Sequence, residues 1–183
     1  YDLRKMIDKT KTRSHELYYI ASHDFLTGLT NRRRFWDYLR IAQAQKETQN
    51  IDYAFCIFDI DNFKRINDVY GHDCGDIILK NVAALVKEMK DPSVKAGRWG
   101  GEEFVLFFPK LSDDVFIFIE ELRQRISDTT FHYNDKEIKL SMTFGVSSSK
   151  NFSTVEDIIV DADFCLMEGK EKGKNIVIIS PQA

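Results

Sequence analysis

The chain has 183 residues, 43% hydrophobic and 30% charged, with nine glycines and three prolines. This is the make-up of one globular domain with a sizeable core, and it excludes a disordered or collagen-like chain. The net charge of −3 excludes a nucleic-acid binder driven by phosphate attraction.

The longest apolar runs, at 53–58 and 104–108, fall far short of a bilayer span, and no signal peptide is visible. The first residue is Tyr rather than Met, so the chain is expected to be a fragment of a longer protein. Any membrane span or sensor domain is expected to lie outside it. Cys56, Cys74 and Cys165 show no CxxC spacing, which favours reduced thiols in a cytosolic protein over a disulfide framework or a zinc site.

Residues 1–40 carry a charge of +4, and the remainder −7. Leu3, Ile7, Thr10, Ser14, Leu17 and Ala21 alternate steps of four and three. That heptad spacing, with a polar middle, predicts an N-terminal helix over 1–22. It reads equally as an exposed amphipathic helix or as the end of a coiled-coil stalk. Residues 23–183 read as the globular domain. A helix is predicted over 31–45, with Phe35, Leu39 and Ala42 on one face. The near-continuous apolar run 53–60 predicts a strand covered on both faces. A helix follows at 74–89, with Ile78, Val82, Leu85 and Met89 at core spacing. Strands at 94–99 and 102–108 are joined by Gly100-Gly101, a strong hairpin signal because primed turns need positive φ. A helix at 113–126, a strand pair at 131–133 and 138–146, a helix at 154–170 with Thr154 as N-cap, and a strand at 175–179 complete the order. Helices separating strands and hairpins imply a mixed sheet with helices packed on it.

Polar residues gather where core strands end. The run 53–60 leads into Asp59-Ile60-Asp61, and Lys64, Asn67, Asp68, His72, Asp73 and Asp76 follow closely. A carboxylate there often only forms a turn or caps a helix. Glu102 and Glu103 at the glycine hairpin raise a different reading. Oxygen donors from two loops at one sheet edge suit Mg²⁺, with phosphate oxygens completing its octahedron. Lys64 would add charge for the same phosphates. Successive strand residues face opposite sides, so Glu102 and Glu103 should diverge unless the turn twists them, and at most one is expected to aim squarely at a metal on Asp59.

Five ordered blocks resemble the GGDEF domains, the diguanylate cyclases. Trp99-Gly100-Gly101-Glu102-Glu103-Phe104 resembles the signature in its GGEEF form. Residues 24–35 resemble DxLTGLxNRRxF, 58–68 DxDxFKxxND, 71–76 GHxxGD, and 162–175 ADxALYxAKxxGRN. The resemblance covers about residues 22–180.

It implies an α/β (α+β mixed sheet) fold: a mainly antiparallel five-stranded sheet flanked by helices, similar to nucleotidyl cyclases and polymerase palms, with an N-terminal helical extension. It also implies condensation of two GTP into cyclic di-GMP with release of two pyrophosphates. That reaction uses Mg²⁺, with Mn²⁺ as an alternative, and a homodimer whose domains each hold one GTP. Asp59 and the Ile60 carbonyl would bind metal. Glu102 would bind metal and help deprotonate the attacking hydroxyl, with Glu103 a lesser metal ligand. The amides of Asn62 and Phe63, with Lys64, Lys170 and Lys174, would hold phosphates. Asn67 and Asp76 would read guanine, whose adjacent N1–H and N2–H₂ donors suit a buried Asp76. Gly100 and Gly101 would let nucleotide and metal approach the backbone.

Partners implied are GTP, a second copy and an upstream sensor, with no nucleic acid and no direct membrane contact by this fragment. The location implied is cytoplasmic, with anchorage of the full-length protein left open. Three departures stand out. Residues 91–94 (Asp-Pro-Ser-Val) lack the RxxD product site of many members, so feedback through that site is not expected. Lys174 stands where Arg is usual, losing bidentate geometry. Gly169 stands where Ala is usual, with a helical cost of roughly 0.5–1 kcal/mol and an expected loosening of that turn. The alternatives are a GTP-holding regulatory module without turnover, a cyclase of relaxed base specificity, and a structural dimerisation domain.

Overall fold

The computed structural model describes residues 2–89 and 91–181. Helix α1 (Asp2–Ser22) is exposed at nearly every described side chain, Ser22 being buried. Of the heptad positions, the Leu3 side chain lies outside the described residues. Strand β1 (Thr30–Asn31) leads into α2 (Arg32–Gln49), which Asn31 caps by accepting the Arg34 amide at 3.0 Å. Strand β2 (Ala54–Ile60) is buried along its whole length. Helices α3 (Phe63–Tyr70) and α4 (His72–Glu88) follow, then β3 (Lys95–Gly100), β4 (Glu103–Phe108) and α5 (Asp114–Asp128). Strands β5 (Phe131–Tyr133), β6 (Lys136–Ile138) and β7 (Met142–Ser148), helix α6 (Val155–Glu171) and β8 (Val177–Ile179) close the chain. Thr154 caps α6, accepting the Asp157 amide at 3.1 Å.

The central sheet runs β1-β3-β4-β2-β7-β8. Its two outer pairings, β1 with β3 and β7 with β8, are parallel, and the inner ones antiparallel. Alternation along β2 divides the core. Ala54, Cys56, Phe58 and Ile60 pack with α3, α4 and α5, while Phe55 and Ile57 pack with α2 and α6. Phe58 stacks on Phe144 of the neighbouring strand, ring centroids 4.5 Å apart.

The mixed fold expected from sequence is the one observed, with four differences in detail. The sheet has six strands rather than five, because the two-residue β1 is too short to show a pattern. Helix α3 was not anticipated, since it buries only Phe63 and Ile66. The single strand expected over 138–146 is two: β6 pairs with β5 in its own small sheet, and β7 joins the main one. The hairpin loop is Gly101-Glu102, not Gly100-Gly101, because Gly100 pairs with Glu103 after a bulge at Trp99. Trp99 is buried there against Phe35 and Phe55.

Candidate active site

The register places the acidic groups. Asp59, next to last in β2, stands directly opposite Glu103 on β4. Directly opposed residues of an antiparallel pair share a sheet face, with Cβ atoms about 5 Å apart. Glu103, expected from pleating to be the lesser ligand, therefore stands squarely beside Asp59. Glu102 lies in the turn itself, released from strand alternation. Its charge is felt by both Asp59 and Glu103. Arg98 fixes this turn. Its Nε and Nη2 donate to the Gly101 carbonyl at 3.0 and 2.7 Å, while Nη1 donates to both Asp24 oxygens at 3.1 and 3.3 Å. Burial tends to raise the Asp24 pKa, but hydrogen bonds from Thr27 and the Arg98 guanidinium hold it below the usual carboxylate range. Among the described residues, chain neighbours aside, no atom lies within 4 Å of where a Cβ on Gly100 or Gly101 would stand.

Asp59 is only 4% exposed. Burial pushes its pKa up to about 6, against the pull of Lys170, with Asp61 and Glu102 adding to the rise. Lys170, from α6, donates to Asp59 Oδ2. Asp59 Oδ1 is buried and accepts no hydrogen bond, an expensive state for a carboxylate oxygen. Glu103 is raised too, chiefly by burial, then by Asp163. Such a set of crowded, under-satisfied hard oxygens fits a divalent cation. Among the described residues no three His, Cys, Asp or Glu side chains are grouped so as to hold a metal. A cation here would draw on main-chain oxygen, such as the Ile60 carbonyl, and on ligand phosphate to complete its shell.

Beside the carboxylates lies a cationic, donor-rich corner. Asn62, at φ 58, precedes α3 without capping it through its side chain. An uncapped helix start leaves N–H groups facing outward, which suits an anion, and here those groups belong to Phe63 and Lys64. The Asn62 Oδ1 instead accepts Lys174 Nζ at 2.6 Å. Lys64 is exposed in the first turn of α3. Lys64, Lys170 and Lys174 thus surround one strand end.

Asn67, on α3, carries a buried Oδ1 that accepts nothing. Gly75 on α4 makes room for it, since a Cβ there would stand 2.0 Å from that oxygen. Asp76, the residue after Gly75, is exposed. It was expected to be buried. The first turn of α4 instead turns it outward while Cys74 and Gly75 face the core.

Gly169 also departs from expectation. A Cβ there would meet Thr143 Cγ2 at 2.6 Å, so the glycine is the close approach of α6 to β7 rather than a loosened turn. Residues 91–94 form a turn in which Asp91 accepts the Ser93 amide and hydroxyl. Sequence reasoning assigned no role to Asp61, Arg98 or Thr143. Asp61 and Thr143 are eighty-two residues apart, and Arg98 reaches back seventy-four residues to Asp24, so only the folded chain brings these partners together.

Similarity to known proteins agrees with this geometry. Residues 21–176 match the family model "Diguanylate cyclase, GGDEF domain". The chain is 34% identical over 163 residues to an uncharacterised membrane protein of Staphylococcus haemolyticus, covering 87% of this chain and 46% of that protein. It is 33% identical over 163 residues to one of Staphylococcus aureus strain USA300, with the same coverage. The chain therefore spans about half the length of these relatives. Among the described residues, no helix is long and apolar enough to cross a membrane.

The crystal structure of the coiled coil and GGDEF domain of DgcB from Caulobacter crescentus in complex with c-di-GMP superposes with a TM-score of 0.91 at 27% identity, covering 97% of this chain and 95% of that one. The active GGEEF domain of a diguanylate cyclase from Vibrio cholerae superposes with a TM-score of 0.76 at 32% identity, covering 85% and 99%. SiaD of Pseudomonas aeruginosa, solved with its activator SiaC, gives 0.85 at 26% identity, covering 97% and 70%. The chain belongs to the GGDEF diguanylate cyclase domain family.

Proposed function

We propose that this domain condenses two GTP molecules into cyclic di-GMP as a Mg²⁺-dependent diguanylate cyclase, and that it is the output part of a longer signalling protein. The observation that carries this reading is the meeting of Asp59, Glu102 and Glu103 with Lys170, Lys174 and the open start of α3 at one end of the sheet. Asp59, the Ile60 carbonyl, Glu102 and Glu103 would hold the cation. Mg²⁺, or Mn²⁺ in its place, would neutralise triphosphate charge and steady the leaving pyrophosphate.

The chain's own groups do the rest. The amides of Asn62 and Phe63, with Lys64, Lys170 and Lys174, grip the phosphates. Asn67 Oδ1 and the Asp76 carboxylate accept from the guanine N–H donors, which satisfies the buried Asn67 oxygen. The open side of Gly100 and Gly101 admits the nucleotide. Glu102 takes the proton from the 3′-hydroxyl as an O3′–Pα bond forms and the Pα–O–Pβ bond breaks.

Each domain binds one GTP, so a second copy supplies the other reactant, and the sequence closes by repeating the step. Helix α1 reads as the end of a coiled-coil stalk that would bring two domains together. Residues 23–183 form the catalytic unit, placed in the cytoplasm, with an upstream sensor in the full-length protein. The residues at 91–94 support the expectation that product does not inhibit through an RxxD site.

Incubation of the chain with GTP and Mg²⁺ at high protein concentration tests the reading. Cyclic di-GMP from the wild type, lost in Glu102→Gln with unchanged circular dichroism, supports it. Bound but unconsumed GTP would instead support a regulatory module that holds nucleotide without turnover.

A further inference from the structure

Three non-glycine residues of the described chain's site region have positive φ: Asn62 at 58°, Lys174 at 67° and Asn175 at 49°. Lysine has no local hydrogen bond to offset this conformation, so the surroundings must impose it. Gly173 opens the corner at φ 115, and the Lys174 amide donates to the Gly169 carbonyl at 3.0 Å. These features end α6, but they do not fix where the next residue sits.

Asp61 does. The Asp61 carboxylate is buried and forms no ion pair among the described residues, and it stands beside rather than within the acidic set around Asp59. Oδ2 accepts the Ser141 hydroxyl at 2.6 Å and the Asn175 amide at 3.1 Å, while Oδ1 accepts the Thr143 hydroxyl at 2.7 Å. The Asn175 amide also reaches Thr143 Oγ1 at 3.1 Å. Hydrogen bonds to an ionised acceptor are roughly twice as strong as neutral ones. The Asp61 amide donates to the Ser141 carbonyl at 2.9 Å, so the acceptor is itself fixed to the approach of β7. The result joins two left-handed corners, one before Asn175 and one at Asn62, and Lys174 spans them through its contact with Asn62 Oδ1.

We propose that Asp61 is a positioning residue for the triphosphate: with Thr143 it pins the Asn175 amide, and so holds the left-handed corner that delivers Lys174 to the phosphate cradle at Asn62. This rests on the GTP reading above. Asp61 touches no reacting atom. It acts through Lys174, and removing either should cost the same binding.

The test uses the chain as it stands, with the α-thio analogue of GTP and Mg²⁺ in titration calorimetry. Asp61→Asn and Lys174→Ala should each weaken binding about tenfold, the loss expected for one hydrogen-bonded charge. The double variant should be no weaker than Lys174→Ala alone. In turnover assays Asp61→Asn should raise KM with little change in kcat, because the loss is of phosphate binding and not of the acidic set. Thr143→Val should repeat the loss and Thr143→Ser restore binding, which keeps the question open to decision if Asp61→Asn folds poorly.

Wild-type affinity in Asp61→Asn, or a double variant about a hundredfold weaker than wild type, overturns the proposal. Should the wild-type chain not bind the analogue, the GTP reading fails by itself. Positioning is then judged by amide hydrogen exchange of Asn175 in the nucleotide-free protein. Exchange about tenfold faster in Asp61→Asn supports it, and unchanged exchange overturns it.

Discussion

Asp59→Asn should make the protein more stable while abolishing its chemistry. The ionised Asp59 carboxylate is buried, leaves Oδ1 without a partner, and faces Asp61 and Glu102. Its pKa stands at about 6, against an ordinary 3.8. The folded chain thus holds the proton more tightly than the unfolded one. The sign follows: the stability contributed by the protonated carboxyl is fully present below about pH 4 and is lost as the pH rises through about 6. A gap of about two pKa units corresponds to about 3 kcal/mol at neutral pH.

Asparagine keeps the shape and removes the charge. It also gives up the ion pair with Lys170, whose side chain is 39% exposed and regains water on release. The pull of that pair is already part of what sets the pKa at about 6, so it is not subtracted again. The net gain is about 3 kcal/mol, or about 6–12 °C in Tm for a domain of this size. Thermal melts of both proteins, free of nucleotide and divalent ions, at about pH 8 and about pH 5 supply the check. The difference should be large at the higher pH and about half as large at the lower, where the folded Asp59 is protonated but the unfolded side chain is still ionised. A variant less stable than wild type at the higher pH, or a gap that does not narrow on acidification, refutes the reasoning.

Gly145→Ala should be strongly destabilising, because a Cβ there would lie 2.1 Å from the Ala162 carbonyl and 2.4 Å from the Leu166 amide. Overpacking against backbone costs about 1–3 kcal/mol or more, read as a lower Tm. Gly169→Ala should also lower Tm, by about 1 kcal/mol, although alanine is the better helix former. Its Cβ would press on the Thr143 methyl, which cannot swing away while the Thr143 hydroxyl is bonded to Asp61. Adding Thr143→Ser should restore the loss, and a Gly169→Ala protein that melts above wild type would show the contact to be slack. Glu102→Gln should reduce cyclic di-GMP formation by at least about a hundredfold, measured by product chromatography, with melting unchanged within about 1 °C.

Local patterns in the sequence predicted most of the fold. The apolar run of β2, the inward faces of α2 and α4, and the Thr154 cap each carry a signal within a few residues, and each stands where it was expected, while the glycine hairpin forms one residue further on. What escaped was set by long-range pairing. Helix α3 is short and mostly polar outside Phe63 and Ile66. The shift of the hairpin loop depends on Trp99 taking a place in the core, and no nearest-neighbour rule shows that. The acidic pair at 102–103 could be ranked by alternation only if both lay on a strand. Glu102 does not, so alternation could not say that Glu103 pairs in register with Asp59 while the Glu102 charge still acts on it. Asp76 was expected indoors on chemical grounds, but the helical phase that buries Cys74 and Gly75 turns the next residue out. Asp61 carried no assigned role because Ser141, Thr143 and Asn175 are some eighty residues or more away in the chain.

Arg98 has a mechanical consequence. One planar guanidinium grips the carbonyl at the tip of the signature loop with two of its nitrogens and the first acidic residue after α1 with the third. Loop and threshold are therefore tied to each other directly. A twist applied where α1 meets the domain would have, in this one side chain, a route to the signature loop that does not cross the sheet.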